Sequence, residues 1–243
     1  MVNIDFFRDL ITVLREITVK ISEIEEQDEG ETEPSTIDPV ERLRLQILCV
    51  LTAFELLTGQ GTLILIHVGD IVNNHVGEAL NLDLNYFCTH LYKLIPQLAT
   101  CSVLDGAIEA ARQSHDAHVT STVDDFFRAL AVILTPKFGK APSYILAAFS
   151  KRLLTLCMQL SDPEIIVRVL DFIKSLLGRD QKLDALLSTE ERIFDGIYRD
   201  AVDDPQLCNP FAAVWWEIIV LEERHYDAKV RKSASDLRTW KSL

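Results

Sequence analysis

"STIDPVERLRLQILCVLTAFELLTGQG", residues 35–61, reads as a whole helix with both ends marked. Asp38 can cap the first turn. Pro39 suits the first helical position, where its missing N–H costs nothing, and Glu41 stands where a capping box places an acid. Leu43, Ile47, Val50, Leu51, Phe54 and Leu57 recur at helical spacing and form one apolar stripe. Gly59 and Gly61 supply the stop, because glycine accepts the left-handed cap geometry.

The same pattern extends in both directions. Upstream, Phe7, Leu10, Leu14, Ile17, Ile21 and Ile24 predict a one-faced helix over Ile4–Ile24. The acidic, aperiodic residues 27–37 then predict a flexible linker. Downstream, "LDLNYFCTHLYKLIPQLA" predicts a helix bent or ended by Pro96. "STVDDFFRALAVIL" predicts one that stops before Pro136, and "APSYILAAFSKRLLTLCMQL" one with Pro142 near its first turn. "SDPEIIVRVLDFIKSLLG" carries Asp162 as cap, Pro163 next, Gly178 as stop, and Ile166, Leu170, Ile173 and Leu177 on its inner face. "QKLDALL" is short, and the stretch from "STEERIFDGIYRD" to Cys208 reads as irregular. Asn209 and Pro210 predict the start of a helix to about His225, and Asp227 the start of a last one. The expected fold is all-α, an α-solenoid of HEAT- or armadillo-like antiparallel helix pairs. In domain terms, residues 1–26 are an N-terminal helix, 38–238 a helical domain and 239–243 a tail.

One segment resists this reading. Residues 62–76 hold an apolar, β-branched run that favours a strand, with no partner strand in sight. It is either a translated, unspliced intron or a loop insertion. Its removal joins "LLTGQ" to "GEALNLD" without a seam.

Composition narrows function. The net charge of −13 suits bare nucleic acid poorly, since binding there rests on Lys and Arg displacing counterions. The five cysteines lie far apart without CxxC spacing, so reduced thiols in an intracellular protein are expected. Neither a signal peptide nor a bilayer-spanning run is expected, so no membrane partner is. His115, Asp116 and His118 suggest a metal site only weakly, because no third ligand is spaced to help. They are the sole basis for an alternative reading as a helical metal-dependent hydrolase. Asp124-Asp125 and Asp203-Asp204 are adjacent rather than opposed, which fits caps and solvated turns better than acid/base pairs. No glycine-rich phosphate loop occurs. No catalytic residue, metal or cofactor is expected, and the chain is not expected to be an enzyme.

Binding residues concentrate near the end. Trp215 and Trp216 would point about 100° apart on a helix, one to the core and one outward. An exposed tryptophan beside Ile219 would anchor an interface. The basic clusters are Lys151-Arg152 and the group Arg224, Lys229, Arg231 and Lys232. The second could touch RNA phosphate or simply favour a helix end.

The ordered pieces "CVLTAFELLTGQ", "GEALNLDLNYFCTHLYKLIPQLA", "FFRALAVIL", "AAFSKRLLTLCMQL" and "DDPQLCNPFAAVWWEIIVLEERHYDAKVRK" resemble, over roughly residues 38 to 238, the CCAAT-binding-factor domain of the nucleolar complex-associated proteins, fungal type. Within the last piece Trp216, Glu217, Leu221, His225, Tyr226, Val230 and Arg231 match the family pattern. Asp227-Ala228 departs from it, standing where many members have His-Pro. Members are longer, so this chain resembles a C-terminal portion or a short gene model. The resemblance implies a non-catalytic scaffold in the nucleolus and nucleus, acting in large-subunit (60S) ribosome biogenesis and rRNA processing. Nucleolar complex protein 2 would be its heterodimer partner, and the pair would ride on the pre-60S particle, touching its RNA indirectly. Trp215, Trp216, Ile219, His225 and Tyr226 would be its partner-binding residues. The alternative is a chromatin-associated scaffold that meets replication-licensing proteins.

Overall fold

The computed structural model describes residues 4–28, 38–59, 76–100, 122–136, 140–188 and 196–240. The linker 29–37, residues 62–75 of the anomalous segment, the His115–His118 group and residues 241–243 lie outside the described residues. Among the described residues the regular structure is entirely helical. The helices are α1 (Ile4–Asp28), α2 (Pro39–Gly59), α3 (Val76–Thr100), α4 (Thr122–Leu134), α5 (Ser143–Cys157), α6 (Pro163–Leu177), α7 (Trp216–Arg224) and α8 (Ala228–Arg238). Two short 3-10 turns cover Gln181–Leu186 and Pro210–Ala212. The chain divides into two compact units, Met1–Leu91 with Thr120–Ile133, and Tyr92–Val119 with Leu134–Leu243.

In the first unit α1 packs on α2. Helix α1 runs four residues past its expected end, to Asp28. Glu25, Glu26 and Gln27 are good helix formers, and the first breaker in the sequence is Gly30. Its inner side is Ile11, Thr18 and Ile21. Thr18 Oγ1 lies 2.8 Å from the Tyr86 hydroxyl, and the Arg15 guanidinium sits 4.7 Å above the Tyr86 ring. Helix α2 begins at Pro39 as expected and buries Leu43, Ile47, Val50 and Leu51 of the predicted stripe.

In the second unit α5 is the central rod. Twelve of its fifteen residues are buried, from Ile145 through Cys157 with only Thr155 left out. A helix that is apolar all round belongs inside. Helix α6, both 3-10 turns and α7 pack around it. Helix α6 is capped as its sequence requires, with the Asp162 carboxylate accepting the Glu164 N–H at 2.8 Å. It buries Ile165, Ile166, Val169, Leu170, Ile173, Leu176 and Leu177. Each such side chain contributes about 1.5–3 kcal/mol relative to exposure. Gly178 does end α6, but at φ −64°, so its left-handed freedom is not used.

Other helix ends also differ from expectation. Helix α3 starts earlier, at Val76, and continues through Pro96 to Thr100. A proline inside a helix removes the N–H that the carbonyl four residues back would accept. Here that carbonyl is Tyr92's, and the Arg152 guanidinium of α5 donates to it at 2.9 Å. The helix therefore survives Pro96 because a distant side chain supplies the missing donor. At the other end of the sequence, Asn209 and Pro210 do not open α7. Asn209 is left-handed (φ 50°), Pro210–Ala212 make one 3-10 turn, and α7 begins only at Trp216.

Candidate partner interface

The irregular stretch between Gly196 and Trp215 is a built loop. Gly196 adopts φ +119°, and a Cβ there would lie 2.6 Å from Asn209 Nδ2, so only glycine fits. The Arg199 N–H donates to the Cys208 carbonyl at 2.9 Å and closes the loop. Asp200 and Asp204 each cap a turn through the Ala201 and Gln206 N–H groups.

Two adjacent residues of α5 hold this loop. Arg152 is 6% exposed. Its guanidinium donates to the carbonyls of Tyr92, Asp200 and Val202 at 2.9, 2.9 and 3.1 Å and to the Asp203 carboxylate at 3.2 Å. It also stacks 3.8 Å from the Tyr92 ring centre. Burial pushes the Tyr92 and Tyr198 hydroxyls and the Cys208 thiol upward in pKa, so all three stay neutral around it. Carbonyl dipoles, one aromatic face and the half-exposed Asp203 balance the cation. Asp203 is thus more than a solvated turn residue.

Lys151, 4% exposed, pairs with Glu217 at 2.7 Å in the first turn of α7; Glu217 is 1% exposed. The ammonium also donates to the Val214 carbonyl at 2.9 Å. The rings of Trp216 and Tyr198 lie over it, at 5.3 and 5.9 Å. The Trp215 N–H meanwhile donates to the Leu186 carbonyl at 2.9 Å. The Val214 carbonyl and the Trp215 backbone N–H are satisfied by these distant groups, which is why the chain can stay non-helical here, with Trp215 at φ −80°, ψ 61°, where a helix was expected.

This anchorage decides which tryptophan faces out. Trp215, expected with Trp216 among the partner-binding residues, is 2% exposed, and its buried indole N–H has no partner among the described residues. Trp216 is 53% exposed and Ile219, one turn on, 39%. Tyr226 is 71% exposed, its ring stacked on His225 at 4.6 Å and its hydroxyl donating to the Ser161 carbonyl at 2.7 Å. His225 ends α7, and its Nδ1 accepts the Asp227 N–H at 3.1 Å. Asp227 caps α8 through the Lys229 and Val230 N–H groups, so the departure from the family pattern preserves the cap. Arg231 Nη1 donates to the carbonyls of His225 and Tyr226 at 2.7 and 2.9 Å and is committed to closing α7. Arg224, Lys229 and Lys232 are exposed.

The sequence reading missed the buried role of Lys151 and Arg152. The signal was present: a basic pair inside "YILAAFSKRLLTLC", with apolar residues on every side of the helix. Among the described residues no three His, Cys, Asp or Glu side chains come together as a metal site. None of the described helices is long and apolar enough to cross a membrane.

The sequence pattern of the CBF/Mak21 family matches residues 46–234. Nucleolar complex-associated protein 3 of Schizosaccharomyces pombe is 32% identical over 252 aligned positions, covering 100% of this chain and 30% of that protein. Nucleolar complex protein 3 of Drosophila melanogaster is 31% identical, covering 96% of the chain and 22% of that protein. Nucleolar complex-associated protein 3 of Saccharomyces cerevisiae is 27% identical, covering 98% and 33%. The chain spans a third or less of each of these relatives.

Proposed function

The chain belongs to the CBF/Mak21 family, and from that premise we propose that it is a non-catalytic scaffold of ribosome biogenesis in the nucleolus. The observation that carries this reading is the match of nearly the whole chain to relatives named nucleolar complex protein 3. In the finer reading the chain pairs with nucleolar complex protein 2 and rides on the pre-60S particle during rRNA processing. Residues 38–238 then act as one binding domain of HEAT-like helix pairs; the packing of α5 on α6 and of α7 on α8 supports such pairs.

The partner would meet Trp216, Ile219 and Tyr226. Large amphipathic rings, half exposed yet fixed underneath, lose little freedom on binding. Trp216 is fixed by its neighbour Glu217 and by the ammonium beneath it. The exposed Arg224, Lys229 and Lys232 could reach RNA phosphate, while Arg231 holds the turn at His225 and Tyr226.

The test is affinity capture of the tagged protein from growing cells, with mass spectrometry and sequencing of bound RNA. Recovery of nucleolar complex protein 2 with large-subunit precursor rRNA is expected, and Trp216→Ser should reduce the protein partner at least tenfold. Recovery of replication-licensing proteins without precursor rRNA would replace this reading with the chromatin one.

A further inference from the structure

Helix α1 carries an apolar flank that the described residues leave open. Its sequence sets Leu10, Leu14, Ile17, Ile21 and Ile24 at alternating four- and three-residue steps, the rhythm of a coiled-coil seam. The helix turns Ile11, Thr18 and Ile21 inward, which is one side of that seam. On the other side Val13 and Ile17, one turn apart, are 49% and 39% exposed, and Leu10 beside them is partly buried. Val19 is also exposed but, at about 100° per residue, lies around the helix from this pair.

Asp9, Glu16 and Glu23 follow one another at seven-residue steps along the outer edge of this flank, and all are exposed. None of the three makes an ion pair among the described residues. Lys20 is the cation in the same neighbourhood.

We propose that this flank of α1 docks an amphipathic helix of another protein that carries Lys or Arg along one edge. The apolar residues alone would accept any amphipathic helix; the acidic row selects the charge. A nucleic-acid backbone or an anionic membrane would meet the same row unfavourably. Two copies of this chain paired antiparallel about a two-fold axis would set one acidic row against the other. The proposal concerns the first unit and does not depend on the Trp216 face.

Two synthetic helical peptides test it, identical at their apolar positions, one edged with Lys and the other with Glu. Each is titrated against the whole chain and followed by fluorescence anisotropy at low and moderate salt. The Lys-edged peptide should bind, more weakly as salt rises. Ile17→Glu, an exposed position whose variant should keep its circular dichroism melt, should weaken that binding at least tenfold. Glu16→Lys with Glu23→Lys should weaken it several-fold and strengthen binding of the Glu-edged peptide. Failure of the Lys-edged peptide to bind, equal affinity for the two peptides, or indifference to Ile17→Glu would overturn the proposal. So would a dimer seen by light scattering that Ile17→Glu dissolves, since the occupant would then be a second copy.

Discussion

Lys151-Arg152 and Arg231-Lys232 are both adjacent basic pairs inside helices, yet they occupy opposite environments. The first is 4% and 6% exposed and holds a loop and a helix start in place. The second has one member closing a helix end and the other in solvent. The difference lies in the helices that carry them. In α5 nearly every neighbour is apolar, so the whole helix is drawn in and its charges must find partners inside. In α8 the apolar stripe is only Val230, Ala234 and Leu237, and its charges stay at the surface. A charge's role is set by the hydrophobicity around it before its own chemistry counts.

Substitutions can break or sharpen this contrast. Arg152→Met should have the largest effect, near the top of the ~3–5 kcal/mol range for breaking a buried charge network, because several carbonyls lose their donor at once. Urea denaturation would measure it. Arg152→Lys should restore little, since an ammonium cannot span the same planar set of acceptors. Lys151→Met should cost about 3 kcal/mol by stranding the Glu217 carboxylate, while Lys151→Met with Glu217→Leu should recover most of that loss. A double variant as unstable as the single one would show that the ammonium also matters through Val214 and Trp216. Arg231→Met should cost about 1 kcal/mol, as expected for a pair of hydrogen bonds near solvent. Lys232→Ala should change stability by less than about 0.5 kcal/mol. If Lys232→Ala proved as damaging as Lys151→Met, the contrast would fail.

The helices were legible where their signals are local. Asp162 and Asp227 announce their caps, the predicted stripe of α6 lies in the core, and so do Leu43, Ile47, Val50 and Leu51 of the α2 stripe, with Phe54 only partly buried and the Leu57 side chain outside the described residues. What escaped the sequence depends on distant partners. Pro96 looked like a bend or an end because its remedy, Arg152, stands far along the chain. Asn209-Pro210 looked like a helix start, since nothing nearby shows that Leu186 and Lys151 would satisfy the backbone at 214 and 215. Of the candidate face, an outward tryptophan beside Ile219 could be foreseen. That Trp216 rather than Trp215 would be the exposed one could not, because the buried ammonium that orients it belongs to α5.

Arg152 reaches Tyr92 across 60 residues, and this separation imposes an order in time. A chain made from its N-terminus completes the sequence of α3 well before Arg152 exists. Until α5 arrives, the Tyr92 carbonyl has only water to turn to, and the turn around Pro96 has no reason to hold. The last stretch of α3 should therefore become regular late, together with the helix that rescues it, and nascent chains stalled before residue 152 should leave it open to proteases.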